Sequence, residues 1–143
     1  VGDGPGRDNL RSQVEALSLQ QQVRMPGNQK EVAGWMQAFD LFVLPSYANE
    51  GVPQALMQAM ACGLPVISTP VGAIGEIVED GRTGIMVTPR DVEVLRVAIA
   101  RLRDDAALRQ SLGAAALARA RERFTADRML DAMDAVFRKV LAA

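Results

Sequence analysis

Two short apolar runs, Leu41-Phe42-Val43-Leu44 and Pro65-Val66-Ile67-Ser68, constrain this chain more than any other feature. Apolar residues that sit side by side, without polar alternation, need cover on both faces of the strand they form. Strands of a parallel sheet have that cover; half-solvated antiparallel strands do not. A third run, Ile85-Met86-Val87, follows an Asp80-Gly81 turn and Gly84. Residues 23–26 add a further short strand candidate. Helical spacing fills the intervals. Residues 7–19 carry Leu10, Val14, Ala16 and Leu17, and residues 30–39 carry Val32, Ala33, Trp35, Met36 and Phe39. Residues 53–61 form a third helix, with Pro53 at the favoured first position and Gly63 just past the end. Residues 74–78 are a short helix or turn. Short strands alternating with helices predict an α/β protein with a doubly wound parallel sheet. Beyond Asp91 the pattern becomes wholly helical, over residues 92–103, 106–123 and 126–141. Asp91, Asp104 or Asp105, and Thr125 are placed to cap these helices.

The 143 residues suffice for one hydrophobic core and not for two full domains. No repeat or long linker divides them, so residues 1–143 are expected to form a single domain. The opening Val1-Gly2-Asp3-Gly4-Pro5-Gly6 reads as a strand end and a tight turn, so the chain reads as part of a longer protein. Sixteen basic residues against seventeen acidic leave a net charge of −1, which gives no pull toward nucleic acid. With no histidine, the chain holds no histidine base and no histidine-ligated metal. The single Cys62 forms no internal disulfide and is expected to be a small buried group near a helix end. No apolar run reaches 18 residues and no signal pattern opens the chain, so a cytoplasmic protein is expected. Trp35 and the methionines are assigned to the core. Arg119, Arg121 and Arg123, interleaved with Glu122 and followed by Asp127, Asp131 and Asp134, are assigned to a solvated face. Gly2, Gly4 and Gly6 suggest a dinucleotide loop, but Arg7 occupies its last glycine position and no acidic residue ends the next strand.

The segment that carries chemistry runs from Pro45 to Ile67. It reads as strand, polar loop, helix, strand. Ligands of open α/β sheets bind beyond the C-terminal ends of the strands, where the 46–52 loop lies. A helix N-terminus follows at once, with unpaired amides and a positive dipole end suited to a phosphate. The amides of Gly51, Val52 and Gln54 are candidates to face it. Glu50 is poorly suited to a phosphate and well suited to accept hydrogen bonds from hydroxyls. Gln58 stands about two helical turns past Glu50, on the polar face it shares with Gln54, while Leu56, Met57 and Met60 point inward.

These motifs resemble a family. Pro45-Ser46, Glu50-Gly51, Gln58-Ala59-Met60-Ala61 and Gly63-Leu64-Pro65-Val66-Ile67 look like the signature of the retaining nucleotide-sugar glycosyltransferases of the GT-B fold, family 4 (glycosyl transferases group 1). Val1-Gly2-Asp3-Gly4-Pro5, the turn from Gly72 to Glu76, Asp80-Gly81-Arg82-Thr83-Gly84 and Phe124-Thr125 fit in the same order. The resemblance implies the C-terminal, donor-binding, Rossmann-like half of a two-domain enzyme. Its donor would be a UDP-, GDP- or ADP-sugar, with no metal or other cofactor. Its partner would be its own N-terminal acceptor domain, through which peripheral membrane contact could also come. The family carries two glutamates eight residues apart, one at the donor sugar and one at the ribose hydroxyls. Glu50 matches the first and is the catalytic candidate; Gln58 stands at the second. Gly4, in the first glycine turn, and Pro26 and Gly27, in the loop by the base, complete the candidate donor site. Pro53 stands where many members have glycine. The family's diphosphate-holding Arg and Lys would lie upstream of Val1, so the chain by itself is expected to lack transferase activity. Gln58 also motivates an alternative, a non-catalytic module of the same fold. A sugar-nucleotide epimerase is a further alternative that the lack of histidine disfavours.

Overall fold

The computed structural model describes residues 1–48 and 50–142; Asn49, in the predicted polar loop, lies outside the described residues. Contacts divide the chain into two compact units, Val1–Gly34 and Trp35–Ala143. In the first, α1 (Arg7–Ala16) follows the glycine turn, and α2 (Val32–Gln37) begins at its end. The predicted strand at residues 23–26 is not formed. A strand exists only as part of a ladder, and all three described strands lie beyond residue 41. The helix predicted over 7–19 stops at Ala16, where Ser18 turns to φ +56°. Its apolar stripe is bare: α1 buries no residue, and Leu10 and Leu17 are exposed.

In the second unit the apolar runs pair as expected. β1 (Phe42–Leu44), β2 (Val66–Ser68) and β3 (Gly84–Met86) form one parallel sheet in that order, with Leu44 opposite Ser68 and Ser68 opposite Met86. The central β2 is fully buried, whereas β1 at the edge of the three is half-buried. The connections are α3 (Gln54–Ala61) between β1 and β2, and α4 (Ile74–Ile77) between β2 and β3. Then come α5 (Val92–Asp104), α6 (Ala106–Arg123) and α7 (Ala126–Leu141), capped by the side chains of Asp91, Asp105 and Thr125.

The core lies around β2. Ile67, Val87, Ala98, Leu102 and Leu112 are buried together, with Val43, Ile85 and Leu95 packed against them. Leu56 and Met60 of α3 are fully buried, each stabilising by about 1.5–3 kcal/mol relative to exposure. Helix α3 ends as its sequence predicts: Gly63 takes φ +76°, and the amides of Gly63 and Leu64 return to the carbonyls of Met60 and Ala59. Pro53, however, is the N-cap and not the first helical residue, because its ψ of 112° is extended. Helix α6 crosses this turn closely. A Cβ on Gly113 would stand 2.3 Å from the carbonyl oxygen of Gly63, so only glycine fits there.

Two further expectations are corrected. Met36 and Met60 are buried, but Met129 and Met133 lie exposed on α7, which buries no residue. Arg119 is not a solvated residue. Its side chain is only 12% exposed and pairs with Glu79, while its Nε and Nη2 donate to the carbonyls of Ile77 and Glu76 at 2.7 Å each. It ties α6 to α4. Arg121 and Arg123 are exposed, as expected.

Candidate nucleotide-sugar site

The C-terminal ends of the parallel strands carry the polar groups of the second unit. β1 runs into Pro45-Ser46-Tyr47, β2 into Thr69 and the Gly72 turn, and β3 into Val87-Thr88-Pro89-Arg90. Buried hydroxyls here are all paired. Ser68 Oγ donates to the carbonyl of Leu44 at 2.8 Å, and Thr69 Oγ1 donates to the carbonyl of Ser46 at 2.5 Å. No buried polar side-chain atom among the described residues lacks a partner.

Glu50 sits in this group. Ser46 Oγ donates to Glu50 Oε1 at 2.5 Å. The Gly72 turn presses on its backbone: a Cβ on Gly72, at φ +57°, would lie 1.7 Å from the carbonyl oxygen of Glu50. The carboxylate is half-buried, and Oε2 takes no hydrogen bond from the described residues. Beside it, Gly51 and Val52 are exposed and lead through Pro53 into α3. The first intrahelical bonds run from Leu56 and Met57 to the carbonyl of Pro53. The amides of Gln54 and Ala55 therefore remain unpaired among the described residues, as at any helix start. Gln54 and Gln58 are both exposed, one turn apart, while Leu56, Ala59 and Met60 are buried. Gln58 offers an uncharged amide where a carboxylate would accept from two hydroxyls. Helix α3 thus presents an apolar face to the core and an amide-rich face outward.

Sequence reasoning missed Arg90 as a neighbour of this site, and missed the bond that Ser46 makes there. Arg90 stands in the left-handed region at φ +64° and stacks over the ring of Tyr47, 4.7 Å from its centroid. It brings a cation to the strand ends, and no spacing rule links residue 47 to residue 90. Ser46 was legible only as part of a motif; its bond to Glu50 depends on the path of the loop. Glu76 is exposed in α4; its carbonyl accepts from Arg119, and its carboxylate makes no hydrogen bond among the described residues. Cys62 is the C-cap of α3 and is half-buried, less than the full burial expected.

Gly4, Pro26 and Gly27 lie in the first unit. The amide of Gly2 donates to the carbonyl of Gly27 at 2.9 Å, so the glycine turn and the 25–28 loop meet. Arg7 braces them, donating to the carbonyl of Met25 at 3.2 Å and pairing with Asp3 at 3.4 Å. A cleft of about 420 Å³ opens between Gly2, Asp3, Gly4 and Arg7 on one side and Arg24 and Met25 on the other. Among the described residues no group of three or more His, Cys, Asp and Glu is placed to hold a metal, and no helix is long and apolar enough to cross a membrane.

Comparison with known proteins agrees with this architecture. The chain is 36% identical over 134 residues to a putative colanic acid biosynthesis glycosyltransferase, WcaL, of Salmonella typhimurium, covering 89% of this chain and 32% of that protein. The crystal structure of Anabaena HepE in complex with UDP superposes with a TM-score of 0.88 at 26% identity, over 93% of this chain and 36% of that one. The C-terminal domain of a glycosyl transferase group 1 family protein, LpcC, from Francisella tularensis shares the fold, with a TM-score of 0.74 at 24% identity, over 84% of this chain and 63% of that one. The chain thus spans about a third of the length of the two full-length proteins. The family model described as glycosyl transferases group 1 matches residues 1–105. Parallel sheet, helix order and motif order converge, and the chain belongs to the glycosyl transferases group 1 family, with the Rossmann-like architecture of a GT-B half.

Proposed function

We propose that this chain binds a nucleotide-diphosphate sugar as the donor half of a retaining glycosyltransferase. The observation that carries the reading is the placement of Glu50. One carboxylate oxygen is held by Ser46 and the other takes no hydrogen bond from the described residues, at the strand ends beside the start of α3. That arrangement suits a sugar hydroxyl at Glu50 and a phosphate at the amides of Gln54 and Ala55. Gly51 and Val52 line the approach, and Gln58 takes the ribose side. The bond between the sugar's anomeric carbon and the diphosphate oxygen breaks, one forms to an acceptor hydroxyl, and the hydroxyl's proton passes to the departing diphosphate. The nucleoside diphosphate leaves, with its charge stabilised by positioned dipoles and no metal. A hexose donor carrying UDP, GDP or ADP, and a saccharide or lipid-linked acceptor, fit the reading. Acceptor binding, any peripheral membrane contact and the catalytic competence of the assembly belong to an acceptor domain, so the chain by itself does not turn over. The lone thiol suits a reducing, cytoplasmic setting.

Calorimetric titration of UDP, GDP and ADP, each alone and as its glucose conjugate, tests the reading on the full gene product. One base should bind, and Glu50→Gln should abolish transfer while retaining the free diphosphate. Gln58 favours one second reading, a module of this fold without donor binding. If no diphosphate binds, even to Gln58→Glu, that second reading replaces the first.

A further inference from the structure

The geometry points to Ser46 and Thr69 as positioning residues that set the sugar contact of Glu50 without touching the donor; the inference rests on the donor-binding reading above. Side-chain hydroxyls continue the β1–β2 ladder past the ends of the strands. Leu44 and Ser68 are register partners, and Ser68 Oγ donates to the carbonyl of Leu44. One residue further along β2, Thr69 Oγ1 donates to the carbonyl of Ser46 at 2.5 Å. Thr69 is only 1% exposed, so water does not compete with the Ser46 carbonyl for this hydroxyl. The backbone of Ser46 is thereby locked to the central strand. From that anchored backbone Ser46 Oγ donates to Glu50 Oε1 at 2.5 Å. On the other side the Gly72 backbone passes so close to the Glu50 carbonyl that no Cβ fits between them.

Glutamate has three side-chain torsions and is costly to immobilise on a loop. The Thr69–Ser46–Glu50 chain meets that cost before the donor arrives. It occupies Oε1 and presents Oε2 in one orientation, which is preorganisation of a charged acceptor. A hydroxyl that acts in this way affects the sugar and not the nucleotide, and this separates it from a residue that merely stabilises the fold.

The test uses the full gene product, titrated with UDP, GDP and ADP and with their glucose conjugates. Ser46→Ala should leave affinity for the free diphosphate within about twofold and weaken the conjugate about tenfold, the scale of one charge-assisted hydrogen bond. Ser46→Thr, which keeps the hydroxyl, should restore it. Thr69→Val should show the same selective loss, smaller in size, and Thr69→Ser should not. In a Glu50→Ala background, Ser46→Ala should have no further effect. Unchanged conjugate binding in Ser46→Ala and Thr69→Val overturns the inference while leaving donor binding intact. Equal loss of diphosphate and conjugate overturns it in favour of a purely structural role. A wild-type protein that binds no diphosphate overturns the donor-binding reading, and this inference with it.

Discussion

Helices α6 and α7 are similar in length, 18 and 16 residues, and opposite in what they do. α6 has a weak apolar stripe rich in alanine, yet it buries Leu112, Gly113, Ala116 and Ala120 and packs on α3, α5 and two strands. α7 has the stronger pattern, with Met129, Met133, Val136, Phe137 and Val140 repeating at helical spacing, and buries none of them. Small residues let backbones approach, and close approach of one element to several others produces burial. An apolar stripe states that a helix has a face to cover. It does not say whether the cover lies within the same chain.

Substitutions sharpen this contrast. Leu112→Ala should have the largest effect, a loss of about 2–5 kcal/mol in urea unfolding, since it opens a cavity in the core beside Ile67 and Leu102. Gly113→Ala should cost about 1–3 kcal/mol despite alanine's better helix propensity, because the new methyl meets a carbonyl oxygen. Arg119→Leu should cost about 1 kcal/mol, leaving the carbonyls of Glu76 and Ile77 and the Oε1 of Glu79 without their donor, while Arg82 keeps its bond to Oε2. On α7, Met133→Ala and Val136→Ala should each stay within about 0.5 kcal/mol in this chain. A loss there as large as that of Leu112→Ala would break the comparison.

The smallest effect concerns pH. The Arg103 guanidinium, bonded to both carboxylate oxygens of Asp104, holds that carboxyl below its ordinary range. A depressed folded-state value stabilises above the unfolded value and is lost as pH falls through the folded one. Any contribution therefore begins to fade as pH falls below about 4 and is gone once pH is below the lowered folded-state value. Both side chains are exposed, so Asp104→Asn should leave the unfolding midpoint at pH 7 nearly unchanged and flatten only the acid limb.

The sheet was legible because Leu41–Leu44 and Pro65–Ser68 leave no polar face, and the last three helices because Asp91, Asp105 and Thr125 announce their starts. Of the candidate site in the second unit, the position of Glu50 beyond β1 and the start of α3 near Pro53 were legible from residue types and spacing. The hydroxyl chain from Thr69 could not, since it depends on which strand end lies beside which loop. Arg119 was misread for a related reason: local sequence shows Glu122 beside it on α6 but not the carbonyls of α4. The 23–26 segment has strand-forming residues and no ladder partner among the described strands, which composition cannot supply.

The obstacle at Gly72 is the main-chain oxygen of residue 50, an atom every amino acid brings to that position. No side-chain change at 50 therefore compensates for a methyl at 72. Selection from a library varied at both sites should return glycine at the second whatever the first becomes, so the two positions would show dependence without co-variation.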